Sequence, residues 1–186
     1  MTSQMSQDES EKHKKLDYIG RGYWGAAFDK GNNSVVKYTT QFNEYYAALE
    51  IIKKQKEQRL KNLPGVVEVI SARKLSKKLF AIELEKVKSL SATDLSVLDK
   101  INAYELSILD MKVEPNNTWI NKSSTHQICD YFKINYTPLS ENVINKYKQL
   151  LQKLLFSKLK THDATPSNIG IDNNGDYVLL DIGGSI

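Results

Sequence analysis

The chain has 186 residues, enough for one domain or two small lobes around a cleft. With 40% apolar and 26% charged residues it has the composition of an ordinary soluble globular protein. The net charge of +4 comes from lysines scattered along the chain, which predicts mild attraction to polyanions but no dedicated nucleic-acid surface.

The single cysteine, Cys129, excludes an intrachain disulfide and fits a reducing compartment. No apolar run approaches the ~20 residues that span a bilayer, so no membrane role is expected. Residues 1–15 are polar and lack the apolar stretch of a secretory signal. They read as a disordered tail, and a cytoplasmic location is expected.

In chain order, residues 16–38 predict a small antiparallel sheet. Leu16 to Ile19 enters a glycine run, Ala26-Ala27-Phe28 leaves it, and a Gly/Asn turn at 29–33 returns the chain through Ser34 to Tyr38. A helix is expected over 41–61, with Thr40 as N-cap and Phe42, Tyr45, Tyr46, Leu49 and Ile52 as its apolar face. Leu63-Pro64-Gly65 stops it. Two β-rich runs follow, 66–72 and 79–84, joined by a lysine-rich turn. Residues 91–109 have helical periodicity, 111–138 carry no clear pattern, and 140–159 predict a strong helix with Val143, Ile144, Tyr147, Leu150, Leu151, Leu154 and Leu155 in register. The last predicted element is a hairpin: Ile169 and Ile171 on one arm, an Asn-Asn-Gly-Asp turn, and Tyr177 to Leu180 on the other.

Several polar motifs sit on this frame. Gly20-Arg21-Gly22-Tyr23-Trp24-Gly25 is a G-x-G-x-x-G run, and glycines there let the backbone offer N–H groups to phosphate oxygens. Alone the run is weak evidence and reads first as a tight turn between strands. A Rossmann reading requires a helix directly after it, and a strand follows instead. Lys37 lies on the next strand within an apolar run, aimed at phosphates or else at solvent. Glu44 falls in the first turns of the following helix on a stripe with Ala48 and Ile51, placed to orient Lys37 or simply to favour the helix dipole. Glu83 and Glu85 close the fifth strand, where the backbone crosses to the second half of the chain.

The strongest block is Asp163, Asn168 and Asp181, separated by five and then thirteen residues, with Gly183 completing Asp-x-Gly. Carboxylate and amide oxygens suit Mg²⁺. Asn168 and Asp181 can share a cation on phosphate oxygens, and Asp163 can accept the proton of an attacking hydroxyl. A metal-phosphohydrolase reading of His126, His162-Asp163 and Asp181 fails, because those ligands belong on helices and a hairpin follows here. His126 and Cys129 are too few for a structural zinc site.

From Leu16 onward the chain resembles the protein-kinase-like superfamily, on Gly20, Gly22, Gly25, Lys37, Glu44, His162-Asp163, Asn168 and Asp181-Ile182-Gly183. It looks most similar to compact bacterial or phage-type members. The resemblance implies an α+β, bilobal fold: an N-lobe over 16–86 and a truncated, mostly helical C-lobe over 87–186. It implies ATP with Mg²⁺ as cofactors, base recognition by the backbone near Glu83 and Glu85, and phosphoryl transfer to a hydroxyl, foremost a Ser or Thr of a protein partner.

Departures stand beside it. His162 occupies the place of the usual Arg, Ile182 that of Phe, and Thr165 that of the usual Lys, and the chain stops three residues after Gly183. The activation segment and later helices that form the peptide-docking platform in ordinary protein kinases are therefore not seen in the sequence, and that platform is expected from a partner chain or self-association. A nucleotide-binding pseudokinase and a small-molecule kinase are the competing expectations.

Overall fold

The computed structural model describes residues 16–21, 25–109, 117–159 and 164–181, with backbone alone over 103–109 and 117–119. It is an α+β structure. Strands β1 (Asp17–Arg21), β2 (Gly25–Gly31), β3 (Ser34–Thr39), β4 (Val69–Ser76) and β5 (Leu79–Glu85) form one antiparallel sheet in the order β1-β2-β3-β5-β4. The turn between β2 and β3 uses Gly31, Asn32 and Asn33 at positive φ, a conformation that glycine and asparagine tolerate best.

Helix α1 (Phe42–Gln58) packs on β4 and β5. Its buried stripe is Glu44, Ala47, Ala48, Ile51 and Gln55, not the aromatic face that periodicity suggests. Ala47 and Ala48 let the helix lie close to the sheet. Phe42 and Tyr46 are about half exposed at the rim, where Phe42 and Tyr45 meet the ring of Phe80. The residue before the helix is Gln41 with no side-chain cap; Thr39 Oγ1 instead accepts from Gln41 N at 3.1 Å. The helix ends at a left-handed Arg59, short of the predicted stop.

Helix α2 (Ala92–Leu109) follows, and the stretch without clear pattern contains two short helices, α3 (Asn117–Lys122) and α4 (Thr125–Phe132). Helix α5 (Pro138–Phe156) starts two residues before its predicted origin. Thr137 and Ser140 exchange backbone–side-chain bonds as a capping box and Pro138 occupies the first turn. Its buried side chains are Val143, Ile144, Tyr147, Leu150, Leu151 and Leu154 with Ser140, matching the expected face except for Leu155, which is half exposed. A 3₁₀ turn (Pro166–Asn168) leads into the hairpin of β6 (Ile169–Ile171) and β7 (Tyr177–Leu179).

One continuous core joins sheet, helices and hairpin, from Ala48 and Ile51 through Ile82, Leu98 and Ile144 to Leu179. Chain segments flank both arms of the hairpin. On one side Val67 N donates to Leu179 O at 3.1 Å and Leu179 N donates to Gly65 O at 2.9 Å. On the other, Lys88 and Ile171 exchange two bonds of 2.8 Å. The hairpin is therefore the middle of a small four-segment sheet, fastened to residues on either side of β4 and β5. Predicted strand 66–72 begins late for this reason: Val66 and Val67 pair with β7 and only Val69 onward joins the large sheet.

Candidate functional site

A cleft of about 1030 Å³ opens between the five-stranded sheet and the hairpin. That is at the upper end of the roughly 300–1,000 Å³ usual for small-molecule sites. Gly20, Arg21 and Gly25 border it from β1 and β2. Ala27, Val35 and Leu84 give it an apolar roof, and Asn168, Ile169, Leu180 and Asp181 line the opposite wall.

Strand alternation explains the roof. Ala27 pairs with Lys37 and Val35 with Leu84, so these four side chains share one face of the sheet. Lys37 is thereby turned into the cleft. Its ammonium pairs with the buried carboxylate of Glu44, presented by the first turns of α1, and lies 3.7 Å from Asp181 Oδ2. Glu44 is 4% exposed and Asp181 sits at the open edge, so the lysine head bridges a fixed interior acid and an accessible one.

The hairpin delivers the other polar group. Leu180 N donates to Asn168 O at 2.7 Å, which ends the β6–β7 ladder and brings the residue before β6 alongside the residues after β7. Asn168 and Asp181 thus border the same wall. Tyr147 of α5 steadies the approach to this wall by donating its hydroxyl to Ala164 O at 3.2 Å.

Lys37, Glu44, Asn168, Asp181, Gly20 and Gly25 are all brought to the cleft. Asp163 and Gly22 lie outside the described residues, as do His162, Ile182 and Gly183. Gly25 has a packing reason of its own: a Cβ there would collide with Tyr38 O and meet Thr39 Cα at 3.1 Å, so β2 crosses β3 too closely for any side chain.

Glu83 does not reach the cleft. It pairs with Val36 on the opposite face of the sheet, and its carboxylate accepts from Lys30 at 2.6 Å, Ser34 at 3.0 Å and Ser71 at 3.3 Å. Burial pushes this carboxyl up, but those donors outweigh it and hold it below the usual carboxylate range. Glu85 borders the cleft, yet its side chain is held by Lys61 and Asn173, and its N–H is given to Glu68 O at 3.0 Å.

Hydrogen-bond accounting singles out one residue of the segment in which Glu83 and Glu85 lie. The N–H of Lys86 goes to Asn33 O at 2.9 Å and that of Lys88 to Ile171 O. Among the described residues, Val87 is then the one position of 85–88 whose N–H has no protein acceptor, and Val87 borders the cleft. No local pattern marks it; only the pairing of its neighbours does. Next to it, Lys86 Nζ pairs with Asp29 Oδ2 at 2.5 Å, and that hydrogen bond lowers the Asp29 carboxyl below its ordinary value.

No protein-family model and no curated protein matches this chain.

Proposed function

We propose that the protein is an ATP- and Mg²⁺-dependent phosphotransferase of protein-kinase-like, two-lobed architecture, acting on a hydroxyl and foremost on a protein Ser or Thr. The observation that carries the reading is the position of Lys37 between Glu44 and Asp181 on the wall of one open cleft, with Asn168 bordering the same wall.

In this reading the ammonium of Lys37 holds phosphate oxygens and Glu44 fixes its direction. The apolar roof of Ala27, Val35 and Leu84 covers the base, and the Val87 N–H reads its edge. The donor set suits Mg²⁺. Among the described residues no three His, Cys, Asp or Glu side chains converge. A cation here would take one carboxylate, one amide oxygen and its remaining ligands from phosphate and water, as Mg²⁺ habitually does. When bound, it would neutralise charge on the transferred phosphoryl group. Asp163, five residues before Asn168, is assigned the hydroxyl proton.

The test is transfer from radiolabelled ATP to protein and small-molecule acceptors, together with nucleotide binding. Asp163→Asn is expected to bind nucleotide as the unaltered chain does and to lose transfer. Undiminished transfer removes Asp163 from its role, and binding without any transfer in the unaltered chain favours a nucleotide-binding module instead.

A further inference from the structure

Gly170, in the middle of β6, has a negative or extended φ and needs no glycine on conformational grounds. What it lacks is space. A Cβ at this position would run into Cγ2 of Val87 and would meet Leu180 Cδ2 at 3.1 Å and Lys88 O at 3.4 Å. Valine is stiff at χ1, so its methyl cannot swing aside without moving the backbone. Gly170 is itself buried and does not border the cleft, whereas Val87, Lys88 and Leu180 do.

The contact sits at a junction. On one side of it the Val87 N–H has no acceptor among the described residues, and Lys88 is bonded twice to Ile171, the residue after Gly170. On the other side β6 runs two residues back to Asn168, whose carbonyl is bound by the residue before Asp181. At about 3.3 Å per residue, β6 spans about 7 Å between the Val87 contact and Asn168. Its register with β7 is fixed by the Gly170–Val178 and Ile169–Leu179 pairs.

We propose that Gly170 is a positioning residue that sets the distance between a base-reading donor, the Val87 N–H, and the pair that would hold the phosphate-bound cation, Asn168 and Asp181, so that the cleft selects a nucleoside polyphosphate by its span. The proposal rests on the nucleotide reading above. A side chain at position 170 displaces the segment carrying Val87 from β6, whereas it meets Leu180 only at the tip of a flexible side chain that can turn aside, so the Leu180 N–H keeps its bond to Asn168 O and the Asn168–Asp181 end stays in place. Base and phosphate then no longer fit together, although each half-site persists.

The experiment compares binding of Mg-ATP and of Mg-tripolyphosphate, which has phosphates but no base, to the full chain and to Gly170→Ala, Val87→Ala and the double variant. Gly170→Ala is expected to weaken ATP at least tenfold and tripolyphosphate less than twofold. Adding Val87→Ala is expected to restore most of the ATP affinity, because it removes the methyl that the new Cβ meets. Equal loss of both probes, unchanged ATP binding, or failure of the double variant to recover overturns the proposal. If Gly170→Ala does not fold, Val87→Gly tests the same contact from the other side: it is expected to weaken ATP and spare tripolyphosphate, and equal effects overturn the idea. An unaltered chain that binds neither probe overturns the nucleotide reading and this inference with it. Normal binding by the unaltered chain with no effect at position 170 overturns this inference alone.

Discussion

Lys37 illustrates how far single residues can be read. Its strand position and the register of Glu44 with Ala48 and Ile51 are visible in the sequence, because both follow from the two periodicities of β and α structure. Replacing it separates chemistry from stability. Lys37→Met leaves the Glu44 carboxylate buried without its cation, which is destabilising. Thermal unfolding should therefore fall, and transfer should drop by about 100-fold or more through loss of a phosphate-directed charge. Adding Glu44→Leu should restore the melting temperature but not the transfer. Activity regained by the double variant would contradict the role of the ammonium.

A second residue-scale expectation concerns the buried Tyr177–Asp94 pair, which links β7 to the start of α2. The Tyr177 hydroxyl donates to Asp94, and Ser91 N donates to the same carboxylate at 2.9 Å. Burial raises the Asp94 carboxyl, but the donors from Ser91 and Tyr177 outweigh it and leave it below its ordinary 3.8. A depressed acid contributes stability that is complete above pH 3.8 and is lost as pH falls through the lower folded value. Burial, joined by the bond to Asp94, raises the Tyr177 hydroxyl above its ordinary 10.0, so its contribution is present below pH 10 and declines as pH rises further. Denaturant midpoints measured across pH should fall at both extremes, and Asp94→Asn should flatten the acid limb. An acid limb unchanged in Asp94→Asn would assign it to other carboxylates.

At the level of elements, the apolar phase of α5 was legible because seven apolar positions keep one helical spacing, whereas its start at Thr137-Pro138 was not read and lies two residues before the expected one. Two changes gauge it. Thr137→Ala should cost about 1 kcal/mol through its lost cap. Leu151→Ala, at a fully buried site, should cost about 2–5 kcal/mol. Both are read from urea midpoints, and a smaller loss at Leu151 than at Thr137 would misplace the core face. Helix α1 was harder. Its aromatic residues dominate any hydrophobicity pattern, but close approach to the sheet selects Ala47 and Ala48, and the larger rings stay at the rim. Helices α3 and α4 had no readable periodicity because they are too short to show one: α3 has 6 residues and α4 has 8. The sequence does not single out one donor in the segment 85–88, for a related reason. Which backbone donor stays open depends on Glu68, Asn33 and Ile171, partners distant in sequence.

Across the whole molecule, the order of sheet, helix, strand pair, helices and hairpin was readable as α+β, whereas the fastening of the hairpin on both arms was not. That fastening merges the buried residues into one cluster. The chain should consequently unfold in a single transition, with circular dichroism and the ultraviolet absorbance of its tyrosines, among them the buried Tyr147 and Tyr177, giving the same urea midpoint. Separated midpoints would mean that sheet and helices lose their structure independently.

The placement of β6 and β7 also bears on synthesis. Ile169, Tyr177, Val178 and Leu179 complete a core whose other members all precede them in the chain, from Ala47 to Ala164. While residue 159 is leaving the ribosome, Gly65, Val67 and Lys88 still lack the backbone partners that β6 and β7 supply. The nascent polypeptide must then hold an unfinished interior until Leu179 emerges, so its folding waits on the hairpin, and chaperones that bind exposed apolar surface would meet it in that interval.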